Sequence, residues 1–215
     1  MVDIIPTILV KTFKEFQDTV KQIEKDLHIA QIDVMDGNFV SNNTFFDIEK
    51  IREIKTHLEY EIHLMVEDPE SFIEQIKNFS KIKKILFHYE SVFDAEILAK
   101  KIQKMGKKAY LVLNPETNID ILHECISSLD GVMLMGVHPG FSGQEFIEET
   151  INKIKAVRKL NEKIPIEIDG GINNKNAKDL ILAGATILAV GSFIYKGDPK
   201  KQRENILKNI GSISK

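Results

Sequence analysis

Eight short runs rich in Ile, Val, Leu and Phe alternate with eight longer stretches whose apolar residues recur every three or four positions. That alternation predicts an α/β protein, a single-domain (β/α)8 TIM barrel spanning residues 1–215. Two further observations point the same way. No Gly/Ser-rich linker or low-complexity tract interrupts the pattern, and no GxGxxG follows the first strand, which weakens the rival open, doubly wound sheet. A chain that is 43% hydrophobic at this length suits one sizeable core.

The strands are read as 4–10 (IIPTILV), 30–36 (AQIDVMD), 58–66 (LEYEIHLMV), 84–90 (KILFHYE), 108–114 (KAYLVLN), 131–137 (GVMLMGV), 165–171 (PIEIDGG) and 186–192 (TILAVGS). The helices between them are expected to begin near Thr12, Asp47, Pro69, Asp94, Asn118, Phe146, Asn174 and Asp198. Several carry local signals. Asp68 followed by Pro69 is an N-cap with proline in the first turn, Asp94 precedes AEILAKKIQKMG, and Gly106 and Gly184 mark stops.

The totals exclude several classes. A net charge of −3 gives no nucleic-acid footprint, and Lys81, Lys83 and Lys84 read as a solvated surface cluster. No apolar run reaches the roughly 18 residues a membrane span needs, and no signal-peptide pattern opens the chain. The single cysteine, Cys125, cannot form an internal disulfide, so a reducing cytoplasm is expected; mid-helix, it reads as a packing residue.

Side chains alternate faces along a strand, so each barrel strand sends one set of residues into the lumen and the other toward the helices. With Ile32 and Val34 facing the helices, Gln31, Asp33 and Met35 face inward, and Asp36 falls out of phase, bracing the following loop. The same rule turns Glu61, His63 and Met65 inward in strand three, Glu167, Asp169 and Gly171 in strand seven, Met133 and Met135 in strand six, Thr7 in strand one and His88 in strand four. Buried acids without partners are costly, and a barrel built only for stability would be filled with Val, Ile and Leu. The polar residues lie toward the C-terminal strand ends, where barrel enzymes place their sites.

A second feature faces them. HPGFSGQEF follows strand six, DGGI follows strand seven, and strand eight runs into VGSFIY. Glycine-rich turns let backbone N–H groups approach a ligand, and barrels commonly bind phosphate at the loops after strands seven and eight. A phosphorylated small molecule is the expected ligand, at Gly140, Ser142, Gly143, Gly171, Gly191 and Ser192.

PTILV, IDVMDGNFV, HLMV, LNPET, MGVHPGFSGQEF, IDGGI and AVGSFIY, in that order and over nearly the whole chain, resemble the ribulose-phosphate 3-epimerase family. The resemblance implies a (β/α)8 enzyme of the pentose phosphate pathway that interconverts D-ribulose 5-phosphate and D-xylulose 5-phosphate by inverting C3, with a close branch acting on allulose 6-phosphate. It implies that Asp33 and Asp169 are the acid/base pair. It also implies that Asp33, His63 and Asp169 hold a divalent metal (Zn, Fe or Mn), and that Met35, Met65 and Met135 line the sugar. Gly140, Phe141, Ser142, Gly143, Gly170, Gly171, Gly191 and Ser192 would contact the phosphate, with Thr7 and His63 near the sugar. It implies a homo-oligomer. The chemistry explains the residue types. Inverting a carbon beside a ketone removes a proton from one face and returns one to the other, so two carboxylates are used, and the enediolate between them needs a cation or hydrogen-bond donors. Methionine sulfur lines a planar intermediate without blocking it.

The sequence departs from the family around the reacting end of the sugar. Gln31 stands where the family has its fourth metal ligand, a histidine, and an amide oxygen is a weaker ligand for zinc than imidazole. Thr7 replaces a serine, Gly136 replaces a Ser or Thr, and GNFVSN replaces GHFVPN at 37–42. Three readings follow: an epimerase whose metal is held by three strong ligands plus Gln31 or water; a metal-free phosphosugar enzyme, epimerase, isomerase or lyase, using Gln31 and His63 as donors; or a phosphosugar-binding protein without turnover. Among the other residues, His88 is expected to brace the site, His138 to reach sugar or phosphate, Asn114 to approach the site, and His28, His57 and His123 to lie on the surface.

Overall fold

In the computed structural model, which describes residues 2–211, the strands are β1 Asp3–Ile8, β2 Ile29–Met35, β3 Glu59–Met65, β4 Ile82–His88, β5 Lys108–Leu113, β6 Gly131–Met135, β7 Ile166–Asp169 and β8 Ile187–Val190. The helices are α1 Phe13–Ile23, α2 Ile48–Glu53, α3 Pro69–Ile76, α4 Ala95–Lys104, α5 Leu122–Cys125, α6 Thr150–Leu160, α7 Ala177–Ala183 and α8 Pro199–Ile210. All eight strand pairs are parallel, and β1 pairs with β8 from Asp3↔Ile187 to Pro6↔Val190, which closes the barrel. Residue 1 and residues 212–215 of the expected domain lie outside the described residues.

Most helix starts follow from their caps. Thr12 accepts the Glu15 amide at 3.2 Å while the Glu15 carboxylate takes the Thr12 amide, a reciprocal box that satisfies two free donors of the first turn. Asp47, Asp68, Asp94 and Asp198 cap α2, α3, α4 and α8 in the simpler way, with proline opening α3 and α8.

Three expected helices differ. The one expected near Phe146 begins at Thr150, because the Ile147 amide is held by the Gly136 carbonyl at 2.8 Å and the chain must cross the end of β6 before it coils. The one expected near Asn174 begins at Ala177. Asn173 and Asn176 bond neighbouring amides instead, a local competition that keeps the segment in turns. After Asn118 comes a 3-10 turn, then α5 with only four residues, then another 3-10 turn through Ser127 and Ser128. Strands one, four, six, seven and eight stop two residues earlier than expected, at Ile8, His88, Met135, Asp169 and Val190.

The two-residue period sorts the core as expected. Ile4, Ile32, Ile62, Leu64, Phe87, Leu111, Leu134, Ile168 and Leu188 pack outward against the helices, with Phe16 of α1 fully buried among them. Inside the barrel sit Ile5, Leu86, Tyr110, Val112, Met133, Met135 and Ile187. Gly131 opens β6 because the Tyr110 ring fills the space its side chain would need, 2.3 Å from an added Cβ.

Lys84 corrects the surface reading of the lysine cluster. It points into the lumen, 6% exposed, and its ammonium lies 2.5 Å from Glu61, 2.7 Å from Glu167 and 4.4 Å above the Tyr110 ring. Burial acts to lower its pKa, but the two carboxylates outweigh it and raise it; burial, together with the nearby Glu167, holds Glu61 well above the usual carboxylate range. Two buried acids face one lysine, and this layer plugs the lower half of the barrel.

Candidate active site

The register sets the upper layer. Asp33 lies beside His63 across β2 and β3, and Met135 beside Asp169 across β6 and β7. The donor atoms of Asp33, His63 and Asp169 all lie within 4.8 Å of one another. His63 Nδ1 is 3.2 Å from both Asp33 Oδ1 and Asp169 Oδ2. Gln31, fully buried behind them, donates from Nε2 to the same two oxygens, at 2.8 Å and 2.6 Å. The two N–H groups of one amide therefore clamp the two carboxylates together.

Electrostatics follow from that packing. Burial is the largest influence on Asp33 and raises its pKa, with the Asp169 charge adding to it and the His63 hydrogen bond opposing it. Burial works against a charged His63, but hydrogen bonds to Asp169 and Asp33 outweigh it and lift the imidazole to about 9. Beside it, His88 is pushed down to about 4, chiefly by burial. The Asp169 side chain is the most open of the three, 12% exposed against 5% for Asp33 and none for His63.

Above this layer lies a cavity open to the mouth of the barrel. Asp33, His63 and Asp169 form its floor, with Thr7 beside them, and Met35, Met65 and Met135 also line it. Its other side is Gly140, Phe141, Ser142 and Gly143 from the loop after β6, Gly170 and Gly171 after β7, and Gly191 and Ser192 after β8. The residues that the family resemblance implies for substrate contact thus line one cavity. Gly171 is needed there on two counts: its φ of +68° is left-handed, and an added Cβ would meet the Phe146 backbone at 2.7 Å. Gly136 has a packing reason too, since a side chain would strike the Gly170 carbonyl at 2.5 Å and the Phe146 ring at 2.7 Å.

Several wall residues escaped the sequence reading: Leu9, Val137, Pro139, Gln144 and Ile172. Gln144 donates to the His138 and Phe141 carbonyls and so folds the glycine loop on itself. Asn42, 8% exposed, donates to the Gly140 carbonyl at 2.8 Å and ties that loop to the one after β2. Thr44 bonds both the Asp33 carbonyl and the Met35 amide, holding the end of β2. Asp36 accepts the amides of Asn38, Phe39 and Glu67, as its loop-bracing role requires.

Three expectations differ in outcome. His138 does not line the cavity; it meets Glu116 at 2.9 Å, both side chains exposed. Asn114 does not line the cavity; its backbone is held by Glu90 and Lys153. His88 does brace the site, with its Nε2 2.9 Å from His63 Nε2. Cys125 is buried, and burial raises its thiol pKa, which suits packing rather than attack. His28, His57 and His123 are exposed.

The donor set fits a divalent ion: two carboxylates and an imidazole nitrogen converge. The Gln31 nitrogen cannot be a ligand, because an amide nitrogen donates its protons. Gln31 has a possible donor atom only in Oε1, which is buried without a hydrogen-bond partner.

A closed parallel barrel whose C-terminal mouth joins paired carboxylates and a histidine to a glycine-rich rim defines an acid–base enzyme of the barrel class. The comparisons make this particular. The profile of the ribulose-phosphate 3 epimerase family matches residues 3–195, and the chain belongs to that family. It is 35% identical to the ribulose-phosphate 3-epimerase of Bacillus subtilis (strain 168), over 94% of this chain and 96% of that one. It is 34% identical to the enzyme of that name from Aquifex aeolicus (strain VF5), over 85% and 84%. Among solved structures, 3-hexulose-6-phosphate synthase from Salmonella typhimurium superposes with a TM-score of 0.69 at 19% identity, over 97% of this chain and 98% of that one. That likeness is one of fold. No described helix is long and apolar enough to cross a membrane.

Proposed function

We propose that this protein is a ribulose-phosphate 3-epimerase, with residues 1–215 working as one barrel domain, and that Asp33 and Asp169 are its two bases. The observation that carries the reading is the pair itself: two carboxylates from different walls of the barrel meet at the floor of a cavity whose other side is a glycine rim. Each spends one oxygen on the Gln31 clamp, so Asp33 Oδ2 and Asp169 Oδ1 are the atoms that would move protons. One removes the C3 proton and the other returns a proton to the opposite face. Thr7 orients the sugar, the three methionines flank the planar enediolate, and the backbone amides at 140–143, 170–171 and 191 with Ser192 hold the phosphate.

Asp33, His63 and Asp169 would hold a divalent ion (Zn, Fe or Mn), with the Gln31 oxygen or water as fourth ligand. When bound, the ion supplies positive charge to stabilise the enediolate. A second reading uses no metal and has His63 donate to the enediolate; Gln31 acts in it only through the carboxylates, because both its N–H groups are already given to them. A cytoplasmic homo-oligomer completes the proposal; Phe93 and Ile97, both well exposed at the start of α4, support a contact between copies.

Solvent-deuterium exchange tests it. Ribulose 5-phosphate should take up deuterium at C3, and the absence of exchange under every metal condition would sink the epimerase reading. Metal analysis of protein purified without added metal separates the two variants: no bound ion, and no gain in activity on supplying one, leaves the metal-free reading.

A further inference from the structure

The loop after β6 divides its polar groups in two. Three of its carbonyls, those of His138, Gly140 and Phe141, are taken by two side-chain amides. Asn42 Nδ2 donates to the Gly140 oxygen at 2.8 Å. Gln144 Nε2 donates to the His138 and Phe141 oxygens at 2.7 Å and 2.8 Å. A carbonyl only accepts, so the atom each side chain turns to it must be the nitrogen. The backbone N–H groups of Ser142 and Gly143 fare differently: among the described residues, neither has a protein acceptor. Asn42, buried in the loop after β2, does not line the cavity, whereas Gly140, Phe141, Ser142 and Gly143 do.

We propose that Asn42 and Gln144 are positioning residues for the phosphate: by holding these carbonyls they keep the oxygens of the loop off the anion and leave its N–H groups to face it. The inference rests on the phosphosugar reading above. The peptides here are trans, so each C=O and the N–H that follows it point in opposite directions. Fixing the Gly140 oxygen on Asn42 therefore directs the Phe141 N–H to the other side. Fixing the Phe141 oxygen on Gln144 does the same for the Ser142 N–H.

The loop needs such restraint. Gly140 and Gly143 sit at φ of +120° and +80°, a region that glycine enters freely, and a chain with that freedom can also turn its peptides over. A turned peptide would present an oxygen to the phosphate and repel it. Gly140 is also close to Val40, whose Cβ would lie 3.3 Å from a Cβ added there. The loop after β2 thus supports Gly140 twice, by packing and by a hydrogen bond. Ordering the donors before the anion arrives reduces what binding must spend on ordering them.

Inorganic phosphate is the probe for the first test. In 15N-labelled protein the Ser142 and Gly143 amide signals should shift saturably as phosphate is added, and no saturable shift at either would overturn the proposal. Asn42→Leu and Gln144→Met keep the bulk of each side chain and remove its donors. Each should weaken phosphate binding about five- to tenfold, the loss expected for one or two orienting hydrogen bonds. Wild-type affinity in either folded variant overturns the role of that residue. Gln144 is half-buried in a loop, so Gln144→Met decides the matter if Asn42→Leu fails to fold.

The second test separates positioning from general damage. The ratio of kcat/KM for C3 exchange in ribulose 5-phosphate to that in phosphate-free D-ribulose should fall about five- to tenfold in each variant. An equal loss with both sugars would mean that the two amides only hold the loop together. If phosphate binds the wild type and is weakened in the variants while no sugar exchanges, the epimerase reading fails and the positioning role stands. If ribulose 5-phosphate exchanges and the variants bind phosphate as the wild type does, the positioning role fails and the epimerase reading stands.

Discussion

The barrel holds two acidic layers, and they differ in what neutralises them. In the lower layer Glu61 and Glu167 close on Lys84, a cation belonging to the chain itself, above the Tyr110 ring. Two residues further along β3 and β7, His63 and Asp169 take the place of those glutamates, Asp33 joins them, and no lysine enters. There the carboxylates are held by a neutral amide and a histidine at the floor of an open cavity. The lower layer is closed by a lysine; in the upper one the only cation of the chain is the His63 imidazole, lifted to about 9 by the two carboxylates, and the layer opens to the cavity. The same strands therefore build a plug and a site, and what separates them is a sealed lysine in one and a histidine facing a ligand cavity in the other.

The largest effect should come from the upper layer. Asp33→Asn and Asp169→Asn should each lower C3 exchange by up to about 10^4-fold, since a positioned acid or base contributes on that scale. The measurement is deuterium uptake per folded molecule, with denaturation curves showing that the fold survives. Full exchange in either variant would remove that residue from the acid–base pair.

Lys84→Met should do the reverse. Removing the one cation strands two buried acids, and breaking such a pair costs about 3–5 kcal/mol. Exchange per folded molecule should stay near wild type. Replacing Glu61, Lys84 and Glu167 together by apolar residues should recover much of the lost stability, because a buried ionic cluster is often matched by good apolar packing. An inactive but stable Lys84→Met would mean that the two layers are not separate devices.

The contrast was half legible in the sequence. A period of two told which acids enter the lumen, so Gln31, Asp33, His63, Asp169, Glu61 and Glu167 were all read correctly as inward. Lys84 was not, because KIKK looks like a solvated basic run. Yet Lys84, Leu86 and His88 share one face of β4, and two inward glutamates required a cation somewhere. The Glu90 contact to His88 and the Asn42 contact to Gly140 join segments through loop geometry, where no period applies. The late starts of α6 and α7 have the same origin: side-chain and cross-strand bonds hold the turns open, and apolar spacing does not record them.

Gln31 sharpens the comparison in the upper layer. Gln31→His replaces the clamp with a second imidazole, a better zinc ligand than an amide oxygen. Zinc affinity measured by calorimetry should rise by about tenfold, near 1.4 kcal/mol. Unchanged affinity would show that residue 31 lies outside the coordination sphere and that its amide serves the carboxylates alone.

The smallest expected effect belongs to an acid of neither layer. Asp36 sits three residues after Asp33 but out of phase, and its carboxylate accepts three backbone amides at 2.8–3.0 Å. Partial burial would raise its pKa; the amides of Glu67, Phe39 and Asn38 outweigh that and hold it below the ordinary 3.8. A group whose folded pKa is depressed stabilises the fold fully above its unfolded value and loses that contribution as pH falls through the folded one. Asp36→Asn should therefore cost about 1 kcal/mol at pH 7, the net worth of weakened hydrogen bonds to a charged acceptor. The gap between the urea midpoints of variant and wild type should narrow as pH falls below 3.8. A gap that stays constant down to pH values well below that would show that Asp36 braces its loop by shape rather than by charge, unlike the two acidic layers beneath it.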